Sequence, residues 1–184
     1  LSSMDETLER AGAARSAITP YRCDVTDSAA IAGLVKACLD QHGRIDILVN
    51  NVGTPVPGGP VKLSEADWQR QIDINLSTVF LTCKQVIPVM QTQGAGAIVN
   101  IASTSGQRYT GAAQVGYATA KAGVIQFARV VAVEHAKDGI RINTVVPGQL
   151  HTPLVDAILV GNQSAGDVDL LLKRRQSRIP LPFM

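Results

Sequence analysis

No stretch of this chain approaches the ~18–20 consecutive apolar residues that cross a bilayer, so a membrane-spanning helix is not expected. The polar opening from Leu1 to Arg10 carries no signal-peptide pattern. Cysteine is sparse: Cys23, Cys38 and Cys83 are scattered, odd in number and lack C-x-x-C spacing. That argues for reduced thiols and a cytoplasmic protein rather than a disulfide framework. Without a secretion signal, the glycosylation patterns at Asn75-Leu76-Ser77 and Asn162-Gln163-Ser164 are read as chance. His42, His135 and His151 are too dispersed for a ligand set, so no metal site is expected. A formal net charge of +2 leaves no electrostatic footprint for nucleic acid. Lys173-Arg174-Arg175 with Arg178 reads as a solvated helix face. No G-x-S-x-G elbow accompanies the serines, which disfavours a serine hydrolase.

What is present suits one domain of ordinary size with a sizeable core: 184 residues, 46% of them hydrophobic and 17% charged. Met4 to Ala13 is predicted helical. Ala17 to Cys23 is a candidate strand. Asp27 or Ser28 caps a helix running to about Gln41 and closed by Gly43. Ile45 to Val49 is an uninterrupted apolar run, expected of a strand buried on both faces. A loop rich in Pro and Gly follows, from Pro55 to Pro60. Ser64 with Asp67 forms a variant capping box. It opens a long helix reaching about Met90, its last turn bent by Pro88. Ala97 to Ile101 is a strand, a helix surrounds Tyr117 and ends near Ala136, and Ile140 to Val146 is a strand stopped by Pro147-Gly148. Helices are predicted at Leu154 to Leu159 and Val168 to Gln176.

Strands thus alternate with helices four times. The pattern predicts an α/β fold, a doubly wound parallel sheet in three α/β/α layers. Ligands in such sheets bind beyond the carboxyl ends of the strands. Asp24, Asn50 to Gly53, Ser103 to Ser105, and Pro147 to Thr152 all fall there. Tyr117 and Lys121 are four residues apart on the predicted helix, which places them on one face, about 5–6 Å apart at Cβ. A cation that close favours the phenolate and lowers the tyrosine pKa from about 10, so the phenol can exchange a proton with an alcohol near neutral pH. The plainer alternative is a surface Tyr–Lys pair.

Taken together, these residues resemble the short-chain dehydrogenase/reductase family. The carriers are Asp24-Val25 after a strand, Asn50-Asn51-Val52-Gly53, Asn75 in Asp-Ile-Asn-Leu, Ser103 in Asn-Ile-Ala-Ser, Tyr117-x-x-x-Lys121, and Pro147-Gly148 with Thr152. The resemblance implies a Rossmann-like domain covering residues 1–184 and an NAD- or NADP-dependent oxidoreductase acting on a small alcohol/carbonyl pair. It assigns Tyr117 as acid/base and Ser103 as the donor to the substrate oxygen. Lys121 would tune the tyrosine and bind the nicotinamide ribose, and Asn75 would hold a relay water. Asp24 and Val25 would meet the adenine, Asn51 and Gly53 the adenosine ribose, and Gly148, Leu150 and Thr152 the nicotinamide side. Structural alternatives accompany these roles. Asp24 could cap the next helix, Asn51 could bond backbone across the sheet, and Asn75 could be satisfied by backbone. Ser103 lies one residue farther from the tyrosine than the family pattern suggests, so a bulged loop is expected.

The family's opening strand, glycine-rich turn and helix, which hold the pyrophosphate, do not precede Leu1, and its final helix and strand do not follow Met184. The expectation is a natural protein longer at both ends. Residues 1–184 alone are expected to be poorly soluble and to bind nucleotide weakly. A non-catalytic Rossmann-like scaffold is the competing reading. Val56, Tyr109, Val115, Leu150, Leu154 and Ile158 suggest a partly apolar pocket. Val124 to Val133 is apolar around much of the helix girth. A homodimer or homotetramer is therefore expected through this helix and Val79, Cys83 and Val86 of the preceding one.

Overall fold

The computed structural model describes residues 2–150 and 167–177. Three short strands, β1 (Ile47–Asn50), β2 (Gly96–Ile101) and β3 (Ile140–Val145), form one parallel sheet in that spatial order. The helices are α1 (Ser2–Arg10), α2 (Ser28–His42), α3 (Glu65–Ile72), α4 (Thr78–Gln93), α5 (Val115–His135) and α6 (Val168–Gln176). The architecture is α/β, of the doubly wound, Rossmann-like class with a parallel sheet. Parallel neighbours need a crossover between them. Here α3 and α4 join β1 to β2, and α5 joins β2 to β3.

Local chemistry sets the element ends. The Asp27 carboxylate accepts from the Ala29 amide to cap α2, and Gly43 closes that helix in the left-handed region at φ 71°. Ser64 caps α3 by accepting from the Asp67 amide at 3.0 Å, and its hydroxyl donates to the Asp67 carboxylate at 2.8 Å. The core lies between the sheet and α4 and α5, around Met90, Ile98, Val124 and Ile140. α2 packs on α4, and α3 on α5.

Four expectations need correction. Ala17 to Cys23 is not a strand: a 3-10 helix occupies Gly12–Ala17, and the following residues join no ladder. A strand is defined by its hydrogen-bonded neighbour, and this run has none among the described residues. Ile45 to Val49 is not buried on both faces. Ile47 and Val49 are 65% and 56% exposed, because their side of the sheet, shared in register by Val99 and Asn143, carries no described helix. The long helix from Ser64 is not continuous α. A π turn at Asp73–Ser77 divides α3 from α4. Val79, Cys83 and Val86 do not face outward. All three are buried in the core, and burial raises the Cys83 thiol to about 11. The predicted helix at Leu154 to Leu159 lies outside the described residues.

Ile98, fully buried at the centre of β2, tests this packing. Ile98→Ala is expected to cost about 2–5 kcal/mol in denaturant unfolding. A loss under ~1 kcal/mol would place the core elsewhere.

Candidate active site

The strands deliver their following loops to one edge, where backbone bonds join them. The Ala102 amide donates to the Val145 carbonyl at 2.8 Å, and the Thr104 amide to the Pro147 carbonyl at 3.0 Å. The loop after β2 is thereby fixed against the loop after β3. Ser103 caps the 3-10 turn Thr104–Gly106, its Oγ accepting from the Ser105 amide at 3.2 Å. That turn and the irregular run to Gln114 take up the longer connection to α5. Gly106 sits directly on α5. A β-carbon there would lie 2.6 Å from the Lys121 carbonyl carbon, so a side chain would push the serine loop off the helix.

Tyr117 and Lys121 share one face of α5, as their spacing predicts, with the ammonium 5.7 Å from the ring centroid. The surface-pair alternative fails, since Lys121 is only 4% exposed. Its Nζ donates to the Ile101 carbonyl at the end of β2, at 2.7 Å. Burial lowers the Lys121 pKa from 10.5 to about 8. The Tyr117 pKa is raised, not lowered. Burial is the larger cause, and the Ser103 hydroxyl beside the phenol only opposes it. The expected depression by Lys121 is absent, and burial disfavours the lysine's own charge as well.

The π turn carries Asn75 inward, fully buried. Such widened turns recur at functional sites. Its Oδ1 accepts from the Thr54 amide at 3.0 Å, while Nδ2 donates to the carbonyls of Thr54 at 3.1 Å and Gln71 at 3.0 Å. The backbone-satisfied alternative therefore describes its amide. Gly53 separates this amide from the lysine. A β-carbon at Gly53 would fall 2.7 Å from Asn75 Oδ1 and 3.1 Å from Lys121 Nζ. Only a glycine lets the loop after β1 close over both groups. Gln71 was missed by sequence reasoning. It is fully buried, and its Oε1 accepts from the Val56 amide at 3.1 Å and from Asn75 Nδ2 at 3.3 Å. A polar residue four before Asn75 on one helix face was the available signal.

The other nucleotide candidates are more spread. Asp24 does not cap α2; Asp27 does. Asp24 is exposed and accepts from the Thr26 amide and hydroxyl, which hold its carboxyl below the usual range. With Thr26 it borders a cavity of about 570 Å³ beside α3. Val25, next to it, is half-buried, and Asn51 is exposed. The cross-sheet role suggested for Asn51 belongs to Asn50, which donates to Asn100 Oδ1 at 2.8 Å. Gly148 follows the Pro147 carbonyl that binds the Ser103 loop, and a β-carbon there would meet nothing closer than Thr104 at 3.8 Å. Leu150 is exposed, and its carbonyl accepts from Arg175 of α6 at 2.9 Å. Thr152, with Leu154 and Ile158, lies outside the described residues. The residues present fit a nicotinamide nucleotide. Lys121 has three donors and one carbonyl partner among the described residues, so a buried ammonium has bonds to give to a hydroxyl-bearing group.

A family profile described as short chain dehydrogenase matches residues 1–162. The chain is 45% identical over 135 residues to a (2S)-[(R)-hydroxy(phenyl)methyl]succinyl-CoA dehydrogenase subunit of Thauera aromatica, covering 73% of this chain and 54% of that protein. A solved short-chain dehydrogenase/reductase of Burkholderia xenovorans superposes with a TM-score of 0.94 at 62% identity, over all of this chain and 69% of that one. An actinorhodin polyketide ketoreductase solved with NADPH gives 0.80 at 33% identity, over 86% of this chain and 62% of its own. The chain spans between 50% and 63% of the curated relatives it matches.

The lysine supplies a pH test. A base whose folded pKa is lowered is neutral in the folded state, but still protonated when unfolded, between the two values. Stability then rises with pH across that window. For Lys121 the window runs from about 8 to 10.5. The unfolding free energy of the natural protein, relative to Lys121→Met, is expected to increase through it. A gap constant with pH would mean that Lys121 keeps its ordinary pKa.

Proposed function

The chain belongs to the short-chain dehydrogenase family, and from that premise we propose that the whole protein is an NAD- or NADP-dependent oxidoreductase interconverting an alcohol and a ketone or aldehyde. The carrying observation is a buried Lys121 on the same face of α5 as Tyr117, with Ser103 beside the phenol. The nicotinamide, when bound, supplies or accepts the hydride. As a carbonyl carbon gains hydride, negative charge builds on its oxygen. Ser103 donates a hydrogen bond to that oxygen, and Tyr117 delivers the proton from its phenol. In the oxidative direction Tyr117 takes the proton back. Lys121 holds the ribose hydroxyls and, when protonated, favours the phenolate. Asn75 and Gln71 hold the loop after β1 against this group.

The nucleotide bound in the actinorhodin ketoreductase and the alcohol chemistry named for the Thauera protein support the reading. The scaffold alternative gives no use to an ammonium buried at energetic cost. Tyr117→Phe removes the proton and keeps the ring. In the full-length protein it is expected to lower turnover by about 10²–10⁴-fold, with nucleotide binding and fold retained. Near-normal turnover would overturn the assignment.

The reading extends to a cytoplasmic homodimer or homotetramer. The contact keeps the two helices expected from sequence, with Phe80 in place of the buried Val79, Cys83 and Val86. Phe80 of α4 and Val130 and Val133 of α5 are exposed, Val133 at 81%. Exposed apolar side chains on these two helices are the candidates for such a contact. Val133→Glu is expected to shift the full-length protein toward monomer in light scattering. An unchanged mass would exclude α5 from the contact.

A further inference from the structure

We propose that Arg108 recognises a carboxylate, so that the substrate is an apolar alcohol or ketone carrying an anionic end; this rests on the oxidoreductase reading above. Two cavities meet at the loop that holds this residue. The larger, about 360 Å³, is walled by Pro60, Ala112, Ala113, Val115 and Ala118. Val115 and Ala118 flank Tyr117 on α5, and Ser105, also on its wall, lies two residues beyond Ser103. The cavity is thus walled by the loop and the helix that carry Ser103 and Tyr117, though neither of those two lines it. The smaller, about 280 Å³, lies between Thr104 and the Gly148-Gln149 segment. Arg108, Tyr109 and Thr110 border both.

The walls say what would fit. Apolar side chains dominate the larger space, which suits a hydrocarbon or aryl body. The polar groups there are largely engaged with each other: Gln114 donates to Ser105 Oγ at 2.8 Å, and Ser105 and Thr110 share a bond at 3.3 Å. Arg108 is the only charged residue on either wall among the described residues. It is exposed, and its guanidinium has no ion pair there. Arg10 and Arg44, by contrast, are paired with Glu6 and Asp46. An unpaired guanidinium beside an apolar cavity, with no carboxylate on the walls, presents a planar fork of donors suited to a bidentate carboxylate.

The solvated-arginine alternative predicts no discrimination by charge. The test compares 4-oxo-4-phenylbutanoate with its methyl ester, two ketones of the same skeleton that differ in charge. Binding to the full-length protein is measured by calorimetry, and NADH- and NADPH-dependent reduction is recorded in parallel. The acid is expected to bind about five- to ten-fold more tightly than the ester, as for one charge-assisted contact. The preference should shrink as salt rises. Arg108→Gln should remove it and Arg108→Lys should keep part of it. Equal affinity for acid and ester, no binding of the acid, or a preference that survives in Arg108→Gln would overturn the proposal. Reduction of both compounds with equal KM would remove the anion site and leave the oxidoreductase reading. Tight Arg108-dependent binding of the acid, with neither compound reduced, would leave the anion site and count against that reading.

Discussion

The buried ammonium of Lys121 is the constraint around which the rest of the site is arranged. An ion that is 4% exposed needs close partners, and the end of β2 supplies one through the Ile101 carbonyl. That bond ties α5 to the sheet at the point where the chain leaves β2 for the Ser103 loop. The loop then returns onto α5 at Gly106, where only a hydrogen fits above the backbone of Lys121. From the other side the loop after β1 closes at Gly53, again with room for a hydrogen only, between Lys121 and Asn75. Two glycines and one lysine thus bring the loops after β1 and β2 together on α5. A methyl group at Gly53 would press on the ammonium itself, and one at Gly106 on the backbone of the same residue.

Beneath this group the sheet ends in a polar row on its helix-covered face. Thr82 of α4 donates to Asn50 at 2.7 Å, and Asn50 donates to Asn100 at 2.8 Å. Thr144 occupies the matching register on β3. Below it the same face is apolar, through Leu48, Ile98 and Ile142. The change from apolar to amide marks where the core stops and the loops begin. Side-chain amides joined across strands resist sliding, because a one-residue slip would turn them to the other face. The register that sets Ile101 under Lys121 is therefore held by hydrogen bonds as well as by packing.

Much of this was legible in the chain. The capping pair Ser64 and Asp67, the glycine after α2, the three strands of the sheet and the Tyr117–Lys121 face all follow from local spacing and chemistry. What was not legible depends on partners remote in sequence. Ala17 to Cys23 has strand composition but no neighbour to make it one. Ile47 and Val49 read as doubly buried because apolar composition does not record which side of a sheet is covered. Asn50 and Asn51 are adjacent and chemically identical, and only the pleat decides that the first bonds across the sheet. Gln71 carries no signal of its own beyond lying four residues before Asn75, and nothing local says that this helix face is buried under the loop after β1. The tyrosine was misjudged most instructively, since spacing gives the distance to a cation but not the burial of both groups.

Burial acts on that pair with one sign. It favours the neutral phenol and the neutral amine alike, raising the first pKa and lowering the second to about 8. The two shifts are not independent. An amine with a pKa of about 8 loses its charge, and with it its field on the phenolate, as pH rises above that value, while any acceptor that satisfies the remaining ammonium donors stabilises the cation. The cation in turn favours the phenolate. The acidity of Tyr117 is thus conditional on what occupies the space in front of Lys121. With the Ile101 carbonyl alone as partner, the buried phenol keeps its proton. Further oxygen acceptors on the ammonium would bring the phenol's pKa down toward the range where it can give the proton up. An arrangement of this kind couples proton transfer to the arrival of a hydroxyl-bearing ligand without moving the backbone, since the change passes through one side chain already fixed between β2 and α5.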